Sequence, residues 1–149
     1  MSKAESLYDF IWMTRPLVQQ IEETVETGLL GSGLTVRMRA VLEVLARDGS
    51  SSVPDLAHAL EIGRQYVQLM VNDCLAAGMV VKRPNPRHKR SPLIVLTREG
   101  GDLITTIRAE EMARLEQIAK RLSIKDIDTA LSVAQHVLSA FRHLNGERR

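Results

Sequence analysis

The chain has 149 residues, 44% of them hydrophobic, 26% charged and only 3% aromatic, with 20 Lys and Arg against 18 Asp and Glu. That length fits one domain or two small lobes sharing a core, and so few aromatics argue against a single-strand nucleic-acid binder built on stacking platforms. The lone Cys74 excludes an intrachain disulfide framework and a Cys-rich zinc site and suits a reducing cytoplasm; no apolar run approaches the ~20 residues of a membrane span, and Glu5 and Asp9 argue against a secretory signal.

In chain order, a first helix is expected from about Lys3 to about Leu29, with Ile11, Val18, Ile21 and Val25 on one face. Pro16 lies inside it and should kink or restart it. After a glycine-rich loop at residues 28–33, Thr35 is placed to cap a second helix running through Arg47, with Ala40, Val41, Val44 and Leu45 as its buried stripe. Asp48-Gly49-Ser50-Ser51 reads as a turn. Ser52-Val53-Pro54-Asp55 has the capping-box spacing and opens a short helix, Val53 to Leu60. Glu61-Ile62-Gly63 turns the chain into a helix from Arg64 to Ala77, which Gly78 stops. A β-hairpin follows, and then a long helix from about Arg98 to Leu122 and a last one from about Ile124 to Leu144, capped by Ser123.

The hairpin carries the most information. Its two short apolar runs, at Val80-Val81 and Leu93–Leu96, flank a tip punctuated by Pro84, Pro86 and Pro92. Between Asp73 and Glu99 there is no acidic residue, whereas Lys82, Arg83, Arg87, Lys89, Arg90 and Arg98 are cationic. Without those six, 14 Lys and Arg face 18 Asp and Glu, so the rest of the chain is net −4. Positive charge gathered on one hairpin suits a surface that meets a polyanion. A pair of helices followed directly by such a hairpin is the winged helix-turn-helix order, in which the second helix enters the major groove.

At 100° per residue, the helix from Arg64 turns Val67, Met70, Val71, Cys74 and Gly78 toward the core. Its N-terminal half offers Arg64, Gln65, Tyr66, Gln68 and Leu69 with no acid before Asp73. Arg can pair bidentately with guanine and Gln with adenine, and an exposed Leu can touch a thymine methyl. In the hairpin, Arg90 is the candidate for minor-groove insertion; Lys82, Arg83 and Lys89 are candidates for phosphate contacts, and Arg87 belongs to the same cationic tip.

Leu34-Thr35, Asp55-Leu56-Ala57, Gly63–Val67, Leu75–Val80, Arg83–Pro86 and Val95-Leu96-Thr97-Arg98-Glu99-Gly100 recur in an order that resembles the MarR family of bacterial transcription regulators, with the wing and Leu-Thr-x-x-Gly its strongest part. The resemblance implies a mainly α (α+β) fold: a winged helix-turn-helix with a two-stranded β-wing and long N- and C-terminal dimerisation helices. It implies one MarR-type domain over residues 1–149, with a winged lobe at 34–97 and dimerisation helices at 1–30 and 98–149. It also implies a sequence-specific double-stranded-DNA-binding regulator: a cytoplasmic homodimer on a pseudo-palindromic operator, a repressor or activator whose DNA affinity responds to a small ligand or oxidant, with a ligand-responsive repressor the favoured reading. Three positions depart from the family pattern. His88 stands where an Asp usually orients the wing arginine matching Arg90, Gly63 replaces a Ser or Thr cap, and Leu69 stands where a basic residue is common.

The terminal helices support the dimer from their own residues. Ile127, Leu131, Ala134, Leu138 and Phe141 form a stripe spaced for a partner helix, and Ile104, Ile107, Leu115, Ile118 and Leu122 give the preceding helix an apolar line. For a small aromatic or phenolic effector, the candidates are Trp12, Met13 and Arg15 on the first helix and Arg39 on the second, an Arg beside an aromatic being suited to planar acids. The same residues also fit dimer core and plain surface. His58, His88, His136 and His143 have no metal-ligand spacing, and no glycine-rich phosphate loop, GxSxG or HExxH occurs, so no metal, cofactor or enzymatic activity is expected. The alternatives are a winged-helix protein-interaction module and an effector-independent DNA-binding protein.

Overall fold

The computed structural model describes residues 1–146; residues 147–149, the end of the expected C-terminal dimerisation segment, lie outside the described residues. The element order is α1 (Lys3–Gly28), α2 (Val36–Asp48), β1 (Ser51–Ser52), α3 (Val53–Leu60), α4 (Arg64–Ala76), β2 (Val80–Arg83), β3 (Leu93–Leu96), α5 (Arg98–Ala119) and α6 (Ile124–Gly146). The molecule is therefore mainly helical with a small antiparallel sheet. By packing it divides into two units, Met1–Glu111 and a second that begins at Met112, so α5 supplies residues to both.

Helix ends follow the expected chemistry. Thr35 Oγ1 accepts the Met38 amide at 3.2 Å, Ser52 Oγ the Asp55 amide at 3.3 Å, and Ser123 Oγ the Asp126 amide at 3.1 Å. A further box, at Ser2 and Glu5, was not anticipated: Ser2 N–H donates to Glu5 Oε2 and Glu5 N–H to Ser2 Oγ. The hydrogen bonds from Ser2 hold the Glu5 carboxyl below its ordinary range. α1 neither restarts nor breaks at Pro16 and is one continuous helix. Proline there removes the amide that Trp12's carbonyl would accept and crowds that carbonyl with its ring; nearby, Thr14 Oγ1 donates to the Ile11 carbonyl at 2.6 Å.

The core belongs to the winged lobe. Met38, Val41, Leu42, Val44 and Leu45 of α2 pack with Leu56 and Ala57 of α3, with Val67, Met70, Val71 and Cys74 of α4, and with the strand residues Val80 and Ile94. Leu29 and Leu34, before α2, and Ile104 and Ile107 of α5 complete it, so the apolar line expected on the helix after the wing is split: these two isoleucines are buried, while Leu115, Ile118 and Leu122 are exposed. Leu42, fully buried, was absent from the expected stripe of α2. Cys74 is fully buried, and desolvation, with the Asp73 charge adding, pushes its thiol up to about 12. It stays protonated and packs as a small hydrophobe.

The expected two-stranded wing gains a third strand. The sheet order is β1-β3-β2, with Ser51 opposite Ile94 and Ser52 opposite Leu93, then Val80 opposite Leu96 through Arg83 opposite Leu93. β1 is two serines with no apolar alternation, in a stretch that reads as turn.

α4 ends in a Schellman motif: the Gly78 amide donates to the Leu75 carbonyl at 3.1 Å and the Met79 amide to the Cys74 carbonyl at 3.0 Å. Gly78 takes φ +73° to do so, which glycine adopts without strain, and it is exposed rather than on the core face. The Leu-Thr-x-x-Gly stretch has an equally specific cause. Thr97 donates through Oγ1 to the Gly78 carbonyl at 2.7 Å and through its amide to the Met79 carbonyl at 3.0 Å, and its Oγ1 accepts the Gly100 amide at 3.1 Å. A Cβ on Gly100 would lie 2.0 Å from the Met79 carbonyl oxygen. The motif thus clamps the end of α4 to the start of α5 and sets where the wing begins and returns.

Candidate nucleic-acid interface

α4 presents its polar side outward because Val67, Met70, Val71 and Cys74 are committed to the core. Arg64, Gln65, Tyr66 and Leu69 are exposed and Gln68 is half-buried. Gly63 occupies the cap position in extended conformation and supplies no side-chain hydrogen bond, so the amides of the first turn of α4 are capped by no side chain of this residue. Gln68 donates through its amide nitrogen to Asn72 Oδ1 at 2.9 Å. Of the two glutamines, Gln65 is the one whose side chain has no such bond among the described residues. Tyr66 is engaged from a direction the sequence did not reveal: the Arg37 guanidinium, from α2, lies over its ring at 4.9 Å from the centroid.

The wing places Lys82 and Arg83 at the end of β2 and Arg87, Lys89 and Arg90 in the loop between the strands, all five exposed. Among the described residues none of the five forms an ion pair, whereas Arg39, Arg47 and Arg108 elsewhere each face a carboxylate. The Arg83 side chain donates to the Lys82 carbonyl, at 3.3 Å. Two consecutive turns shape the tip, with the His88 amide donating to the Asn85 carbonyl and the Ser91 amide to the His88 carbonyl, each at 3.2 Å. Asn85 locks them: its Nδ2 donates to the Ser91 carbonyl at 2.9 Å and its Oδ1 accepts the Arg87 amide at 3.1 Å. Arg90 is thus a central residue of the second turn, its backbone placed by His88 and Ser91. The sequence singled out His88 for its missing carboxylate; the structure gives its backbone the joining role.

The candidate effector residues separate into two groups. On α1, Trp12 and Met13 are exposed, Arg15 lies over the Trp12 ring at 5.5 Å, and Tyr8 meets Trp12 edge-on at 6.0 Å. On α2, Arg39 already holds a carboxylate: its Nε donates to Glu111 Oε1 at 2.7 Å and its Nη2 to Glu111 Oε2. The hydrogen bond from Arg39 to Glu111 is the main cause that holds the guanidinium above its ordinary value. Glu43 Oε2, buried and without a hydrogen bond, sits 3.6 Å from Arg39 Nη2 and 3.5 Å from Arg108 Nε, so the group is an alternating cluster of two arginines and two glutamates. Sequence separation hid it, since Arg39 and Glu111 are 72 residues apart.

Comparison with known proteins places this geometry. A sequence profile of the MarR family matches residues 32–91, from the loop before α2 through the wing tip. A crystal structure of a MarR family transcription regulator is 35% identical, with 97% of this chain and 96% of that chain covered and a TM-score of 0.86. At lower identity, two structures solved with DNA share the fold. A MarR variant from E. coli complexed with operator DNA is 19% identical, covers 93% and 99% of the two chains and has a TM-score of 0.77. The S. aureus MepR–DNA complex is 16% identical, covers 87% and 96%, and has the same TM-score of 0.77. Among curated sequences, an uncharacterized protein of Mycobacterium tuberculosis is 40% identical over 60 residues, which span 40% of this chain and 42% of that one. That match takes in less than half of the curated relative's length. The near-full-length likeness at 35% identity decides the assignment: the chain belongs to the MarR family of transcription regulators.

Proposed function

We propose that the protein is a sequence-specific double-stranded-DNA-binding regulator, a cytoplasmic ligand-responsive repressor that acts as a homodimer on a pseudo-palindromic operator. One observation carries the reading: an acid-free N-terminal half of α4 that exposes Arg64, Gln65, Tyr66 and Leu69 is followed in the chain by a wing whose five exposed cations have no ion-pair partner among the described residues. Residues 34–97 are then the DNA-binding lobe. Arg64, Gln65, Tyr66, Gln68 and Leu69 face the major groove; Gln68 commits one amide N–H to Asn72 Oδ1 and keeps its Oε1 and second N–H for a base. Arg90 enters the minor groove while Lys82, Arg83, Arg87 and Lys89 meet phosphates. The segments 1–30 and 98–149 join two copies, whose recognition helices stand roughly 34–36 Å apart. Exposed Leu17, Val18 and Ile21 on α1 and Leu131, Leu138 and Phe141 on α6 support that role. A binding protein needs no catalytic group, and we assign none.

The effector reading rests on Arg15 over Trp12 and on Arg39. An aromatic acid that uses Arg39 has to displace Glu111, so its affinity should rise in Glu111→Gln. A thermal-shift screen of benzoate-type acids on wild type and that variant reads this directly.

The DNA reading is tested by anisotropy titration of a duplex recovered by binding-site selection. Arg90→Ala is expected to weaken binding strongly with an unchanged sedimentation mass; equal affinity for variant and wild type would sink the wing assignment. Gln65→Ala should shift the selected motif, each lost bidentate contact being worth about 1–3 kcal/mol of discrimination.

A further inference from the structure

Arg37 stands apart from the other arginines of α2. Arg39 spends both arms of its fork on Glu111, and Arg47 is bound to Asp48 through Nε and Nη2 at 2.9 and 3.1 Å. Arg37 is exposed, makes no ion pair among the described residues, and lies with its guanidinium carbon 4.9 Å from the Tyr66 ring centroid. The second arginine–aromatic pair, Arg15 on Trp12, joins residues of one helix; Arg37 on Tyr66 joins α2 to the exposed face of α4.

A guanidinium placed over a ring is held through its face, and its N–H donors lie in the guanidinium plane. Such a fork is oriented without being consumed, which is the condition for gripping two oxygens of a phosphate bidentately. A carboxylate partner such as Glu111 does the reverse, occupying the same donors an incoming phosphate needs. No acid competes from the N-terminal half of α4, where the first is Asp73.

We propose that Arg37 is a phosphate-gripping residue of the DNA interface, positioned by the ring of Tyr66, and that Tyr66 therefore contributes through its ring rather than by reading a base with its hydroxyl. This rests on the DNA reading above. Phosphates are common to every duplex, so Arg37 adds affinity without sequence preference.

The experiment measures affinity against salt for the selected duplex and for a scrambled one, with wild type, Arg37→Ala, Arg37→Lys, Tyr66→Phe, Tyr66→Leu and the double variant Arg37→Ala/Tyr66→Leu. Because the substitution is present in both copies of the dimer, Arg37→Ala should lose two phosphate contacts per complex, lower the magnitude of the log–log salt slope by about 2 and weaken both duplexes by the same factor. Arg37→Lys should keep the slope and lose part of the affinity, because a lysine neutralises without gripping. Tyr66→Phe should match wild type, Tyr66→Leu should fall between wild type and Arg37→Ala, and the double variant should be no weaker than Arg37→Ala. An unchanged slope in Arg37→Ala, a loss confined to the selected duplex, or a Tyr66→Phe as weak as Tyr66→Leu overturns the proposal. If Arg90→Ala weakens binding in the same assay while Arg37→Ala does not, the DNA reading survives and Arg37 alone is rejected. If wild type binds neither duplex, both fall.

Discussion

α2 and α6 are both amphipathic, but they use their apolar faces differently. α2 buries Met38, Val41, Leu42, Val44 and Leu45 within the winged lobe, whereas α6 buries none of its residues and leaves Leu131, Leu138 and Phe141 about half exposed. α1 likewise buries none of its residues. The lobe's core is closed by its own elements together with Leu29, just after α1, and Ile104 and Ile107 of α5; α1, α6 and the second half of α5 carry apolar residues that this core does not take in. Stability of the lobe and assembly of the protein should therefore respond to different residues, and variants ranked by their expected effect on the lobe test that separation.

The largest effect belongs to the core. Leu42 has no exposed surface, so Leu42→Ala should cost about 2–5 kcal/mol in lost burial and cavity. Urea melts should display that loss equally at low and high protein concentration. A loss that shrinks as concentration rises would place Leu42 in an assembly contact and break the comparison.

Next come two neighbouring glycines of opposite sign. Gly100→Ala forces a methyl group against the Met79 carbonyl, a backbone atom that no rotamer change can move aside, and should cost about 1–3 kcal/mol or more. At Gly101, also in α5, an added Cβ meets nothing within 4 Å, and Gly101→Ala should stabilise by about 0.5–1 kcal/mol through helix propensity. Melts of the pair check both signs at once; equal shifts would mean that the close approach to Met79 does not constrain the fold.

These contrasts also explain what the sequence could and could not reveal. Helix limits were legible to within three residues because capping is local: Thr35, Ser52, Ser123 and Gly78 act on amides and carbonyls a few positions away. The wing was legible because prolines and clustered charge mark it. β1 was not, since two serines become a strand only when Ile94 and Leu93 arrive beside them. Nor were Glu111 on Arg39 or Arg37 on Tyr66, because no periodicity reports a pair 72 or 29 residues apart. The split of α5 had the same origin: Ile104 and Ile118 look alike in sequence, and only packing decides that one is 1% and the other 62% exposed.

The smallest effect on the lobe is expected on α6, where the effect on assembly is the greatest. Leu131 is 54% exposed within the chain, so replacing it removes little intramolecular contact, and Leu131→Asp should leave the lobe's melting nearly unchanged once both proteins are compared as single chains. A charge placed on the proposed dimer face must instead be desolvated when two copies meet, at a cost that an apolar face does not carry. Sedimentation should therefore find the variant near one chain mass at micromolar concentration, where wild type sediments as two, and operator affinity should fall because half-sites are then engaged singly. A Leu131→Asp protein that still sediments as two chains would move the interface to α1 or α5. One that unfolds at every concentration would show that α6 belongs to the lobe's own core, and the contrast with α2 would disappear.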